Sequence, residues 1–267
     1  MQVKAKHRGE HGFTLVEILV TVMIMGLVAV AIGSFYISTS KQTNTQLEVV
    51  DVQSNLRLVM DRLVKDIQRA GFMTDQDPIS IALSTGTSMT INTASVAGKF
   101  ARLTNTATAT GTNDTFNVGD NDMVDLFSKG DSVRIIRPPL HEEPAAGIFT
   151  ISDLDTGVIK VNGIPVGTEI RPGDILVGTR TGAPLVNTIT YSLDGARNLL
   201  RTVNGVDQIL GRNITGLNFV YDPDNGDPIR TVQITLTGTT DPSKTGQAGY
   251  GGLKTRTLIN HVTVRNL

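Results

Sequence analysis

No cysteine occurs in this 267-residue chain. Disulfide staples and thiolate metal sites are therefore excluded. Tryptophan is also absent and aromatics make up 4% of the residues, so any core must rest on Val, Ile and Leu. Lys and Arg number 24 against 25 Asp and Glu, and so even a balance gives no basic footprint for nucleic acid. The four histidines are His7, His11, His141 and His261. No G-x-S-x-G motif and no plausible Ser-His-Asp set accompanies them. The chain therefore reads as something other than an enzyme. Proline, finally, is missing from Phe13 to Ala70, so nothing in that stretch forbids one long helix.

What is present begins at the N-terminus. Met1 to Gly12 form a short leader carrying Lys4, Lys6 and Arg8 against Glu10, which leaves the remaining side chains with a net charge of about -3. Then come Gly12-Phe13-Thr14-Leu15-Val16-Glu17 and an uncharged run of 20 residues from Ile18 to Ile37. A helix of that length crosses a hydrocarbon core of about 30 Å. Lys4, Lys6 and Arg8 assign the N-terminus to the cytoplasm and the residues beyond about 40 to the far side. Glu17 sits at the edge of the apolar run, where a carboxylate costs up to a few kcal/mol unless it has a partner. An ordinary signal peptide is the competing reading, because Ala29-Val30-Ala31 offers an A-x-A cleavage site. Against it, the apolar region would contain Glu17, and hydrophobicity continues past the site to Tyr36-Ile37.

Basic leader, Gly-Phe-Thr-Leu-Val-Glu and apolar helix, in that order, resemble a type IV prepilin. The resemblance implies that a prepilin peptidase cuts between Gly12 and Phe13 and methylates the new amine of Phe13. It makes Glu17 the acidic residue at the fifth mature position, an assembly residue that neutralises the N-terminal amine of a neighbouring subunit. Each charge alone is costly in lipid, and the pair is much less so.

Past the apolar run, Val49, Val52, Leu56, Val59, Leu63, Ile67 and Ala70 recur at steps of three and four, one stripe of a helix. Arg57, Asp61, Arg62, Lys65, Asp66 and Arg69 fall on other faces, with Asp61–Lys65 and Arg62–Asp66 spaced as ion pairs. Gly71 is a natural stop. Continuous from Phe13 to Ala70, such a helix extends about 87 Å. After residue 80, abundant Thr, Val, Gly and Asn point to β structure. Residues 74 to about 115 read as irregular connection with short strands near Ser88–Asn92 and Thr115–Val118. Two similar cores follow, Gly130-Asp131-Ser132-Val133-Arg134-Ile135-Ile136 and Gly173-Asp174-Ile175-Leu176-Val177, each a turn feeding a strand. A hairpin over Gly147–Ile151 and Gly157–Val161 lies between them. The last part reads as strands at Asn187–Leu193, Leu199–Val203, Val206–Leu210, Gly216–Tyr221, Ile229–Thr237 and Thr255–Val264, with hairpin turns at Asp194-Gly195 and Asn204-Gly205.

The expected fold is α+β and pilin-like. A long N-terminal helix, membrane-spanning in its first half, packs on an antiparallel β-sheet domain that holds a small inserted β-module. The expected divisions are a cleaved leader at 1–12, a transmembrane or filament-core half-helix at 13–37, an amphipathic half at 38–71, and a β-rich domain at 72–267 with the module at about 123–180. The helix end, Met60-Asp61-Arg62-Leu63-Val64-Lys65-Asp66-Ile67-Gln68-Arg69-Ala70-Gly71-Phe72, resembles the PilW class of minor pilins and the J-type minor pseudopilin of type II secretion. Ile189–Leu193, Arg230–Leu236 and Val262–Asn266 add to that resemblance. It implies a part in pilus assembly, at initiation or in a tip complex. The alternatives are a pseudopilin of type II secretion and a fibre-tip adhesin or ligand-binding subunit. Implied partners are other minor pilins or pseudopilins, the major pilin, prepilin peptidase and inner-membrane lipid. The implied location is the inner membrane, single-pass, with a periplasmic C-terminal domain, and also the pilus tip.

No cofactor is expected, with calcium as the one candidate. Asp222-Pro223-Asp224-Asn225-Gly226-Asp227 spaces the oxygens of Asp222, Asp224 and Asp227 somewhat like a calcium loop, without full EF-hand spacing. The same residues build turns. Asp120-Asn121-Asp122 and His141-Glu142-Glu143 are weaker metal candidates. Gly249-Tyr250-Gly251-Gly252-Leu253-Lys254 lacks both the spacing and the following helix of a phosphate loop.

Overall fold

A computed structural model describes residues 13–74, 79, 84–95, 99–138, 143–179, 184–223, 229–244, 250 and 252–265. The first element is the long helix α1, Leu15–Gln68, of 54 residues. Ala70 and Arg69 close it with short-range backbone bonds to Ile67 and Asp66, and Gly71 takes the left-handed φ of +76° that ends helices.

Two compact units divide the chain: Met1–Asp51 with Thr240–Lys254, and Val52–Thr239 with Thr255–Leu267. Within the first, the segment 240–254 is closed by mutual bonds of Thr240 and Lys254, the Thr240 amide donating to the Lys254 carbonyl at 2.9 Å. Lys244 Nζ lies 3.0 Å from Glu48 Oε1 and over the Tyr250 ring. The Glu48 carboxylate raises the pKa of Lys244.

The second unit is α+β: α1 packs on antiparallel sheets. One sheet has four strands in the order β1-β10-β11-β12. These are β1 Met89–Ala94, β10 Val186–Leu193, β11 Leu199–Val203 and β12 Val206–Gly211. A second has three, in the order β13-β14-β15: β13 Ile214–Asp222, β14 Thr231–Thr239 and β15 Thr255–Thr263. The six expected C-terminal strands are thus present within a residue or two, but they divide between two sheets after β12. Asn204-Gly205 makes the expected two-residue turn, with φ of +50° and +83° pairing Val203 with Val206. Asp194-Gly195 does not: the loop runs to Asn198, and Arg197 holds the positive φ of +63°. The Asp194 carboxylate organises it, accepting from the amides of Ala196 and Asn198 at 2.9 and 2.7 Å.

The core follows from the helical stripe. Leu56, Val59, Leu63 and Ile67 are buried against Met89, Ile189, Leu199, Leu217, Phe219, Val232, Ile234 and Leu236. Each such side chain contributes about 1.5–3 kcal/mol by leaving water. Two glycines let α1 approach this closely. A Cβ on Gly211 would lie 2.8 Å from Val59, and one on Gly238 would lie 3.3 Å from both Leu56 and Val52.

A separate core fills a module of six strands in the order β2-β9-β5-β6-β7-β4. These are β2 Lys99–Arg102, β4 Asp114–Asn117, β5 Ser132–Ile136, β6 Phe149–Asp155, β7 Val158–Asn162 and β9 Ile175–Thr179. A two-stranded piece, β3 Ala107–Thr108 with β8 Glu169–Ile170, and the short helix α2, Asn121–Val124, complete it. The sheet includes β2 and β4, so its strands start at Lys99, upstream of the 123 expected for the module. The two Gly-Asp turns are built alike. Asp131 accepts from the Ser128 amide at 2.7 Å and Asp174 from the Arg171 amide at 2.9 Å. Gly130 and Gly173 have φ of +91° and +100° and donate to the Ile151 and Leu103 carbonyls. Each buried carboxylate also meets a cation: Lys99 on Asp131, and Arg137 in a two-pronged bond at 2.9 Å on Asp174.

Candidate functional site

Thr14 precedes the first turn of α1 and caps it. Its hydroxyl accepts from the Glu17 amide at 3.3 Å, and its carbonyl accepts from Glu17 and Ile18 at 3.1 and 3.2 Å. Thr14-Leu15-Val16-Glu17 is therefore the Thr-x-x-Glu sequence of a capping box, with the carboxylate in the first turn, where the helix dipole favours negative charge. The spacing of Thr14 and Glu17 in the sequence already carries that second use of Glu17. Phe13 and Glu17 are exposed, as is every side chain from 13 to 39.

Within this helix one stretch is long and apolar enough to cross a membrane, and none of it is buried. Its few polar groups are satisfied by the helix itself. Thr21 Oγ1 donates to the Glu17 carbonyl at 2.5 Å, and Ser34 Oγ to the Ala31 carbonyl at 2.9 Å. A Cβ on Gly26 or Gly33 would meet nothing, so both glycines are open to a partner. The arrangement offers an apolar rod face with one carboxylate at its start. Gly12, the expected residue before the cut, lies outside the described residues.

At the other end of α1 the sequence hid a second feature. Asp66, expected off the apolar stripe and paired with Arg62, is 3% exposed. Its Oδ2 accepts from the Tyr191 hydroxyl and from Arg201 Nε, both at 2.7 Å, while Arg62 Nε stands 3.5 Å from Oδ1. Burial, and then the Asp66 carboxylate, hold the Tyr191 phenol well above its ordinary pKa. The network joins β10 and β11 to the helix. No spacing in the sequence pairs residues 66, 191 and 201, so only the fold brings them together.

Those metal candidates that are described have other partners. Asp222 ends β13 and its carbonyl accepts from the Arg230 amide at 2.9 Å, while Asp224 and Asp227 lie outside the described residues. Asp120 is the cap of α2, accepting from the Asp122 amide at 3.0 Å. Glu143 is engaged by Arg134 at 2.8 Å, and His141 and Glu142 lie outside the described residues. Among the described residues no three His, Asp or Glu side chains converge as a metal site.

The family defined by the prokaryotic N-terminal methylation motif matches residues 7–33. No curated protein and no solved structure matches the chain significantly. The motif supports a type IV prepilin-like protein, pilin or pseudopilin, of a structural kind that is usually non-enzymatic. It implies processing by prepilin peptidase and assembly with other pilins. With one N-terminal apolar helix, it fits a single-pass inner-membrane protein.

Proposed function

We propose that the chain is a minor pilin of the PilW class that acts in type IV pilus assembly, at initiation or in the tip complex. Prepilin peptidase cuts between Gly12 and Phe13 and methylates Phe13. The observation that carries the reading is the pairing of the motif with a half-helix whose apolar side chains find no cover among the described residues. Such a surface is stable in lipid or against the same surface of other subunits. Glu17, capped by Thr14 at the start of that surface, neutralises the N-terminal amine of the next subunit. The N-terminus stays cytoplasmic before cleavage, and the β domain stands in the periplasm or, once assembled, at the fibre tip.

The test is Glu17→Ala in the full chain. Membrane insertion is expected to be unchanged, while co-purification of other pilins falls at least tenfold. Unchanged co-purification contradicts the assembly role. Deletion of the gene identifies the machine. Loss of surface fibres supports the pilus. Loss of exoprotein release with fibres intact moves the chain to a type II secretion pseudopilus.

A further inference from the structure

A cavity of 280 Å³ opens beside the Asp66 network, bounded by the last turns of α1, the end of β1, and β2, β10 and β11. Its charge is unbalanced. Arg62, Arg69 and Arg201 line it, and Asp66 is the single carboxylate among them. Asp66 spends Oδ2 on Tyr191 and Arg201 at 2.7 Å and faces Arg62 with Oδ1 at 3.5 Å, so one carboxylate stands against three guanidiniums. Arg69 makes no ion pair among the described residues. Arg201 is 7% exposed, and two of its three guanidinium nitrogens are used: Nε on Asp66 and Nη1 on Gln208 at 3.3 Å. Its Nη2 has no hydrogen bond among the described residues. That edge is left for an acceptor that enters the cavity.

The apolar side of the cavity is aromatic. Phe72 and Phe100 meet edge to face, with ring centroids 5.6 Å apart, and Phe72 remains 39% exposed. Rings beside guanidiniums form a wall for a planar or apolar body, while the guanidiniums take its charged end. The volume lies just under the range of about 300–1,000 Å³ typical of ligand sites. It suits one side-chain-sized group and excludes a nucleotide.

We propose that this cavity binds a carboxylate carried on an apolar stem, with the carboxylate on Arg201 Nη2 and Arg69 and the stem against Phe72 and Phe100. Planar forked guanidiniums match a carboxylate two bonds at a time. Two sources present this chemistry: a small free acid, and the C-terminus of another polypeptide ending in an apolar residue. The site is independent of the chain's role in a fibre, because it uses neither Phe13 nor Glu17.

The test is calorimetric titration of the full-length chain in detergent micelles with 3-phenylpropanoate. Saturable one-to-one binding is expected. It should weaken at least tenfold in Arg69→Gln, a change at an exposed helix position that holds no ion pair and leaves the Asp66 network intact. Acetate, which lacks the stem, and 3-phenylpropan-1-ol, which lacks the charge, should each bind at least tenfold more weakly. Absence of saturable binding, equal binding of the alcohol, or an unchanged Arg69→Gln affinity overturns the proposal. A peptide ending in Phe with a free carboxylate, compared with its amide, separates the sources. Tighter binding than 3-phenylpropanoate, lost on amidation, assigns the polypeptide terminus; peptide binding no tighter assigns the free acid.

Discussion

From Leu15 to Ile37 and again from Val52 to Gln68, α1 is rich in Val, Leu, Ile and Met, yet the two stretches bury nothing alike. In the first, apolar residues occupy every face and all are exposed. In the second they are confined to a stripe, and Leu56, Val59, Leu63 and Ile67 are buried at 2% exposure or less. A stripe is enough when a sheet covers one side of a helix. Apolar side chains all round require a surrounding of lipid or other helices. The pattern of hydrophobicity, more than its amount, assigns one stretch to folding and the other to assembly.

That contrast can be broken most severely at Asp66. Asp66→Ala leaves Arg201 buried without its carboxylate, and loss of a buried partner costs about 3–5 kcal/mol. Denaturant unfolding of the full chain in detergent should show this loss while membrane extraction stays normal. Leu63→Ala removes a fully buried side chain and should cost about 2–5 kcal/mol. Leu27→Ala, the matching change in the exposed half, should leave the unfolding midpoint of the β domain unmoved. An equal loss from both would dissolve the distinction between the halves. Gly211→Ala sets a Cβ 2.8 Å from Val59 and should cost about 1–3 kcal/mol. Thr14→Ala removes a helix cap worth about 1 kcal/mol, seen as faster amide exchange in the first turn alone.

The strands from β10 to β15 were legible because alternation is clean there. Val232, Ile234 and Leu236 face the core with Thr and Gln between them, and Asn204-Gly205 marks its turn by the φ it needs. β2 was not, since Lys99-Phe100-Ala101-Arg102 is short and shows no period of two. Its strand identity comes from pairing with β9, about 75 residues later. The Arg62–Asp66 pairing was legible and is present at 3.5 Å, but the burial of Asp66 was not. A carboxylate among Arg and Lys on a helix reads as solvated, and what buries it is contributed by Tyr191 and Arg201 from distant strands. Phe13, Thr14 and Glu17 stood out because a motif is local, while the surface they serve is completed by other molecules. The Arg-lined cavity had no signal in the sequence at all.

The measurement that bears most directly on the division of α1 is the intact mass and N-terminal sequence of the protein extracted from membranes. Processing as a prepilin predicts a chain that begins at N-methylated Phe13 and retains the whole apolar half. A chain beginning at Ile32, after Ala29-Val30-Ala31, would contradict the account, because the half assigned to assembly would have been discarded with Glu17.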